Sequence, residues 1–297
     1  MKERAGSIGM PRPPDSWMES ACGFILDLDG TLIRERRPLA GACELLDRLA
    51  GRFVVLSNNS SDTADRIARK LRRMGLNVKA DRVLLAGESA VRTLSVERPG
   101  LRTMIIGSRT LCRHATQAGL SVTDQNPEVV LLARDEHFTY RKLRSAANAL
   151  RDGAQLIATN PDGYHPGDDG RGVVPETGAL LQALVACSGV QPARIIGKPE
   201  SPLFNEALQR LGTSAAETVV IGDNPNTDAL GAIRLGMRFL LIGRGDRADA
   251  PDPEHLLRFR GIPRSALEKG DTCRVTKIAS TRRISDAEWP ESTVNNA

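Results

Sequence analysis

At 297 residues and 32.1 kDa, with 40% hydrophobic residues and 3% aromatics, the chain suffices for one large or two moderate folded units but is too poor in aromatics to offer stacking platforms for single-stranded nucleic acid. Its net charge of +5 comes from 41 basic and 36 acidic residues that are interspersed, which describes a solvated surface rather than a nucleic-acid footprint. No apolar run reaches the ~20 residues of a membrane span, and the first residues lack the apolar core of a signal peptide.

Five scattered cysteines (Cys22, Cys43, Cys112, Cys187, Cys273) form no Cys-x-x-Cys pair, so reduced thiols in a cytoplasmic protein are expected and a zinc site is not. Residues 1–20 are rich in Pro and Gly without periodicity and read as a flexible extension. An apolar run, Phe24-Ile25-Leu26, then ends in Asp27-Leu28-Asp29-Gly30-Thr31. Side chains alternate along an extended chain, so Asp27 and Asp29 project to one side. Two like charges that close repel, and a hard divalent cation such as Mg2+ relieves the repulsion.

A helix is expected over Ala42 to Ala50, a strand over Arg52 to Leu56 ending in Ser57-Asn58-Asn59-Ser60, and a helix from Asp62 to Met74 with Gly75 as its stop. Strand, helix, strand, helix implies parallel strands, whose carboxyl ends are where ligands collect. The alternation restarts with strands over Thr103–Ile106, Val129–Leu132 and Gln155–Ala158, and helices over Ser108–Ala118 and Tyr140–Leu150. A long loop from Thr159 to Gly170 follows, with Asn160 and Asp162 near its start.

Beyond it, a helix over Gly178–Ala186 and a strand over Ala193–Ile196 lead into Gly197-Lys198-Pro199. A helix over Leu203–Leu211 and a strand over Thr218–Ile221 lead into Gly222-Asp223-Asn224 and on to Asp228, before a last helix (Ala229–Leu235) and strand (Phe239–Ile242). The expected organisation is α/β: a Rossmann-like, doubly wound parallel-sheet core from 21–80 and 178–243, and an inserted α/β domain at 81–177. Residues 244–297 are expected to be an irregular tail with short helices around His255 to Phe259 and Ser265 to Lys269. Gly243-Arg244-Gly245 lacks the third glycine and the helix of a dinucleotide loop.

Four strand ends thus carry Asp27 and Asp29, Ser57 and Asn58, Lys198, and Asp223 with Asp228. Each has a bland reading, since Ser57, Asp223 or Asp228 could cap the helix that follows and Lys198 could lie on the surface. Together, in this order, they resemble the four motifs of the haloacid dehalogenase-like phosphohydrolases, beginning with Asp-x-Asp-Gly-Thr. Only residues 32–56 separate the first two motifs, whereas residues 60–197 lie between the second and third, so the inserted block resembles the type 2 cap of that superfamily. Thr159-Asn160-Pro161-Asp162, Thr177-Gly178-Ala179-Leu180, Gly197-Lys198-Pro199 and Gly222-Asp223-Asn224 further resemble the NagD-like and 4-nitrophenyl-phosphatase-like subfamily (subfamily IIA), over about residues 22–243.

The resemblance implies a Mg2+-dependent phosphatase acting on a small phosphorylated metabolite of the sugar phosphate, nucleoside monophosphate, phosphoglycolate or pyridoxal phosphate class. Asp27 would be the nucleophile that forms an aspartyl-phosphate, and Asp29 the general acid and then base. Asp27, Asp223 and the main-chain carbonyl of Asp29 would hold the metal, with Asp228 supporting it. Lys198, the Ser57 hydroxyl and the Asn58 amide would face the phosphoryl oxygens. Ser57 stands where many relatives have Thr, which keeps the hydroxyl.

Asn160 and Asp162 are candidates for positioning the cap or reading the substrate, and a tight turn explains them equally well. Relatives commonly pair through this cap, which makes a homodimer a partner to test; nucleic acid and membrane are not expected partners. A mutase would need its cap between the first two motifs, a dehalogenase would need neither Asp29 nor Asp223, and a P-loop kinase would need a Gly-x-x-x-x-Gly-Lys motif that is missing. The alternative from another class is a catalytically silent regulatory or interaction protein of the same family.

Overall fold

In chain order the elements are β1 (Gly23–Asp27), β2 (Ile33–Arg34), β3 (Arg37–Pro38), α1 (Ala42–Leu49), β4 (Phe53–Ser57), α2 (Ala64–Arg73), β5 (Val83–Leu85) and α3 (Ala86–Glu97). Then come β6 (Arg102–Ile106), α4 (Arg109–Gln117), β7 (Ser121–Val122), β8 (Val129–Leu132), α5 (Tyr140–Arg151), β9 (Gln155–Ala158), β10 (Tyr164–Pro166), β11 (Val173–Pro175) and α6 (Thr177–Ser188). The chain continues through β12 (Arg194–Ile195), α7 (Ser201–Leu211), β13 (Thr218–Gly222), α8 (Leu230–Arg234), β14 (Arg238–Leu241) and α9 (Pro253–Leu256). This computed structural model describes residues 20–167, 172–243 and 248–258.

Two parallel five-stranded sheets carry the fold, in the orders β14-β13-β1-β4-β5 and β12-β9-β8-β6-β7. Both are covered by helices on both faces, which is why their strands read as unbroken apolar runs instead of alternating ones. Along β1 the alternation is visible in the packing: Phe24 and Leu26 join Leu45, Leu49 and Leu71 on one face, and Ile25 joins Leu203, Phe204 and Ala207 on the other. Each such fully buried side chain contributes roughly 1.5–3 kcal/mol. Helix starts follow their caps: the side chains of Thr63, Ser108 and Thr139 accept from the backbone N–H of Arg66, Leu111 and Lys142.

The boundaries between the two units differ from the expected ones at both crossings. Val83–Leu85, expected at the start of the inserted block, pairs with β4 as the edge strand of the first sheet, while α6 packs on α5 and β12 pairs with β9 in the second sheet. The alternation of apolar runs and helices continues across these points without a change in composition, so only strand pairing separates the units. The loop expected at 159–170 holds β10, which pairs antiparallel with β11 just beyond it as a hairpin. The β2–β3 hairpin, β5, α3 and β7 were also not anticipated, being short or weakly patterned.

Part of the expected tail is built into the core. Ala250 and Leu256 are buried in the cluster around Leu45 and Leu46, Asp252 caps α9, and Glu254 N–H donates to Ala40 O at 3.0 Å. Residues 1–19, 244–247 and 259–297, and with them the helix expected over Ser265 to Lys269, lie outside the described residues. Cys43, Cys112 and Cys187 are free thiols, whereas Cys22 is disulfide-bonded, contrary to the expectation of reduced thiols throughout. Among the described residues no helix is long and apolar enough to cross a membrane.

Candidate active site

The first sheet brings its polar strand ends to one edge. Asp27 ends β1, Ser57 ends β4, and Asp223 follows β13, while Lys198 enters from the segment that returns from the second sheet. Lys198, 3% exposed, places Nζ 2.5 Å from Asp27 Oδ1, 2.7 Å from Asp228 Oδ1 and 3.4 Å from the carbonyl of Leu56. Asp27 Oδ2 is buried and has no hydrogen-bond partner among the described residues. An orphaned carboxylate oxygen beside a buried ammonium is costly unless another group engages it, and that is the position a reacting or metal-bound oxygen would take.

Carboxylate oxygens of Asp27, Asp223 and Asp228 lie within 4.8 Å of one another. With Asp29 nearby, one ammonium faces four carboxylates, and the consequences appear in their acidities. Asp29 and Asp223 keep solvent access; desolvation first, then the charge of Asp27, pushes both up to about 6. Burial pushes Asp228 up to about 7 against the pull of Lys198. Burial alone would favour loss of the Lys198 proton, but Asp228 and Asp27 outweigh it and hold the ammonium above its ordinary range.

Gly30 shapes this cluster. Its φ of 87° is a conformation that other residues adopt at a cost, and a Cβ there would lie 1.9 Å from Asp223 Oδ2. The turn after Asp29 and the carboxylate after β13 therefore occupy adjoining space. The clustered acids suit a hard divalent cation: oxygen donors, excess negative charge and an unengaged buried oxygen on Asp27 are what Mg2+ takes.

Two of the expected site residues make contacts that the sequence did not specify. The Asn58 amide donates to Asp162 Oδ2 at 2.9 Å and to the Lys198 carbonyl at 3.0 Å, and its Oδ1 accepts from Lys198 N–H at 2.8 Å. Both amide hydrogens are committed, so this side chain clamps Lys198 and the second unit. Asp228 accepts from Lys198 and, at 3.3 Å, from Asn224 N–H, so it positions the ammonium directly.

Asn160 and Asp162 join the site through that same clamp. Fully buried Asn160 donates to Asn58 O at 2.8 Å and to Thr177 Oγ1 at 3.3 Å, and its Oδ1 accepts from Asp162 N–H at 3.1 Å. Asp162 is raised by burial, with the Asn58 hydrogen bond pulling the other way. Gly197 permits the close approach, since a Cβ there would lie 2.5 Å from Asn58 Oδ1 and 2.6 Å from Thr159 O.

Sequence reasoning missed three polar residues of the second unit that gather beside this clamp. Glu176 accepts from Arg134 at 3.3 Å and lies 2.8 Å from His165 Nδ1, and the charges of His165 and Glu176 both act on Asp29. His165 is one of only four histidines, and Glu176 stands at a helix start without capping it; neither signal is specific in a sequence.

A parallel α/β sheet with clustered carboxylates and a buried lysine at the carboxyl ends of its strands defines a Rossmann-like enzyme of the phosphoryl-transfer type. The family pattern described as "Haloacid dehalogenase-like hydrolase" matches residues 24–121, and one described as "HAD-hydrolase-like" matches residues 195–258. The chain is 32% identical over 226 residues to the acid sugar phosphatase of Staphylococcus epidermidis, a match spanning 75% of this chain and 86% of the relative.

Among solved structures, 4-nitrophenylphosphatase from Thermotoga maritima is 31% identical with a TM-score of 0.73, over 82% of this chain and 92% of that one. Glycerol phosphate phosphatase from Mycobacterium tuberculosis, in complex with calcium, is 30% identical with a TM-score of 0.70, over 76% and 67% respectively. The chain belongs to the haloacid dehalogenase-like hydrolases, in their NagD-like subfamily IIA, and is a phosphoric monoester hydrolase.

Proposed function

We propose that the protein is a Mg2+-dependent phosphatase that hydrolyses a small phosphorylated metabolite through an aspartyl-phosphate on Asp27. The observation that carries this reading is the state of the Asp27 carboxylate, with one oxygen held by Lys198 and the other buried and unengaged. An Asp27 oxygen bonds to phosphorus while the ester P–O bond breaks, and Asp29 gives its proton to the departing alkoxide. With its pKa raised to about 6, Asp29 keeps a protonated fraction available near neutral pH.

In the second half Asp29 takes a proton from water as the water oxygen attacks phosphorus, and the bond to Asp27 breaks to release inorganic phosphate. Lys198 neutralises charge on Asp27 and the phosphoryl oxygens, and Ser57, buried at the end of β4, offers its hydroxyl to them. Asp27, Asp223 and the main-chain carbonyl of Asp29 would hold Mg2+, supported by Asp228, and the ion when bound supplies positive charge against the transferred group. The second α/β unit, clamped to the site through Asn58, serves as a cap that excludes bulky substrates.

The relatives named for sugar phosphate and glycerol phosphate support a small-metabolite substrate, and a cytoplasmic setting and pairing of two chains through the cap accompany the reading. The test is phosphate release from 4-nitrophenyl phosphate and a panel of metabolite phosphates, with Mg2+ or EDTA, for wild type and Asp27→Asn. Metal-dependent turnover lost in the variant is expected. A folded wild type without turnover on any member would shift the assignment to a silent regulatory protein.

A further inference from the structure

Arg34, Glu35, Arg36 and Arg37 form the exposed tip of the β2–β3 hairpin, and their side chains have no ion pair or hydrogen bond among the described residues. Arg34 stands directly opposite Arg37 in the antiparallel register, which sets their Cβ atoms about 5 Å apart. Like charges so placed destabilise a hairpin. Glu35 adds a second local cost, since its φ of 57° lies in the left-handed region that favours glycine. The tip thus carries two penalties, and no carboxylate of the described chain offsets the repulsion.

This hairpin grows out of the catalytic turn. Gly30 N–H donates to Ile33 O at 2.7 Å, and Asp29 and Ile33 form a parallel bridge. Backbone dimensions then put Arg34 Cα within about 6 Å of the Gly30 nitrogen, inside the screening length of about 8 Å at physiological salt. Leu28 and Ile33 enter one apolar cluster, so the residues that alternate with them, Asp29 and Arg34, both turn away from it. Pro38 is the partner of Ile33, which leaves Arg34 and Arg37 together on the open face.

The catalytic edge sets Lys198 against Asp27, Asp29, Asp223 and Asp228, and stays negative even with a divalent cation added. An approaching phosphate is repelled by that edge and gains from positive charge at its rim. Two guanidiniums on one face also match the oxygens of a single phosphate, which arginine takes bidentately.

Resting on the phosphatase reading, we infer that Arg34 and Arg37 bind a second phosphate at the far end of the leaving group, with Arg36 adding charge, so that the preferred substrates are small bisphosphates. The phosphate being hydrolysed goes to Asp27 and Lys198, and the other goes to the hairpin. This contact acts on binding and leaves the chemistry at phosphorus to the core.

The test compares hexane-1,6-diol bisphosphate with n-hexyl phosphate, the same carbon chain with one phosphate fewer, in Mg2+ at low and high NaCl. The proteins are wild type, the double variant Arg34→Gln with Arg37→Gln, and Arg34→Glu. The readout is the ratio of kcat/KM for the two substrates, in which the two equivalent ends of the bisphosphate supply about a factor of two. Wild type is expected to favour the bisphosphate about tenfold or more at low salt and to lose that margin as salt rises. Both variants should bring the ratio down to the statistical factor, chiefly through KM. Arg34→Glu should do so while its melting temperature rises, because it sets opposite charges across the hairpin. That gain separates lost recognition from a damaged fold.

A wild-type ratio at the statistical factor, or a ratio that survives in both variants, would overturn the inference. Absence of metal-dependent turnover of 4-nitrophenyl phosphate by wild type is a different outcome: it overturns the phosphatase reading and removes this inference with it.

Discussion

Lys198 and Asp27, 171 positions apart in the chain, meet at 2.5 Å in a place from which water is nearly excluded. Asp228 completes the contact from the other side, so one buried cation is shared by two buried carboxylates. Breaking such an arrangement is more damaging than omitting it, because the groups left behind stay buried and charged.

Lys198→Ala is accordingly expected to lower kcat by roughly 10²–10³, the size of effect seen when a preorganised charge at a developing oxyanion is removed. The variant should also unfold at lower urea concentration than wild type. Steady-state kinetics with 4-nitrophenyl phosphate, paired with urea titration, checks both. A loss below about tenfold would remove Lys198 from the phosphoryl site.

Gly30→Ala tests the turn. The substitution places a methyl group 1.9 Å from Asp223 Oδ2 at a φ of 87°, so Asp223 must move or the turn must open. The backbone strain costs about 1–2 kcal/mol, and displacement of Asp223 should weaken Mg2+ affinity. Titration of activity with Mg2+ is expected to show a right-shifted curve with partial recovery at high metal; an unshifted curve would separate Gly30 from the metal site.

The raised carboxylates give the metal-free protein an inverted dependence on pH. Asp29 and Asp223 at about 6 and Asp228 at about 7 all lie above their ordinary value of 3.8. Between those limits the folded chain binds more protons than the unfolded chain, so stability rises as pH falls from about 7 toward 4. In EDTA, the melting temperature should therefore rise between pH 7.5 and pH 5.5. Saturating Mg2+ should flatten or reverse the trend, because the ion stabilises the ionised form that protons otherwise remove. A melting temperature that falls with pH in EDTA would contradict the charge arrangement.

Leu256→Ala probes the segment that returns to the core after β14. Leu256 is fully buried in the cluster with Leu45 and Leu46, on α9, which packs against α1. A loss of about 2–5 kcal/mol in unfolding free energy is expected, with kcat changed less than twofold. Differential scanning calorimetry and the phosphatase assay together check this, and an unchanged stability would place Leu256 outside the core.

The amino-acid sequence by itself determined the fold class and the identity of the charged residues. An apolar run that ends in Asp27 or in Asp223 carries that information locally, since a buried parallel strand has no alternation and its carboxyl end is where polarity returns. The sequence also placed Ser57 at the same edge as a strand end, whereas Lys198 reaches that edge from the segment after β12 of the second sheet. Only the tertiary structure decided how they are used. That the Asn58 amide contacts Asp162 and Lys198, that Asp228 steadies the ammonium, and that β5 joins the first sheet and β12 the second all depend on pairings between residues far apart in the chain.

The same holds for the cluster of Arg134, His165 and Glu176. Three polar residues of no particular pattern become a fixed imidazole only because a hairpin folds back onto the start of a helix. Local sequence encodes which groups can ionise and where strands end; contact between distant segments sets which of those groups are paired, buried or left open, and that is a property of packing alone.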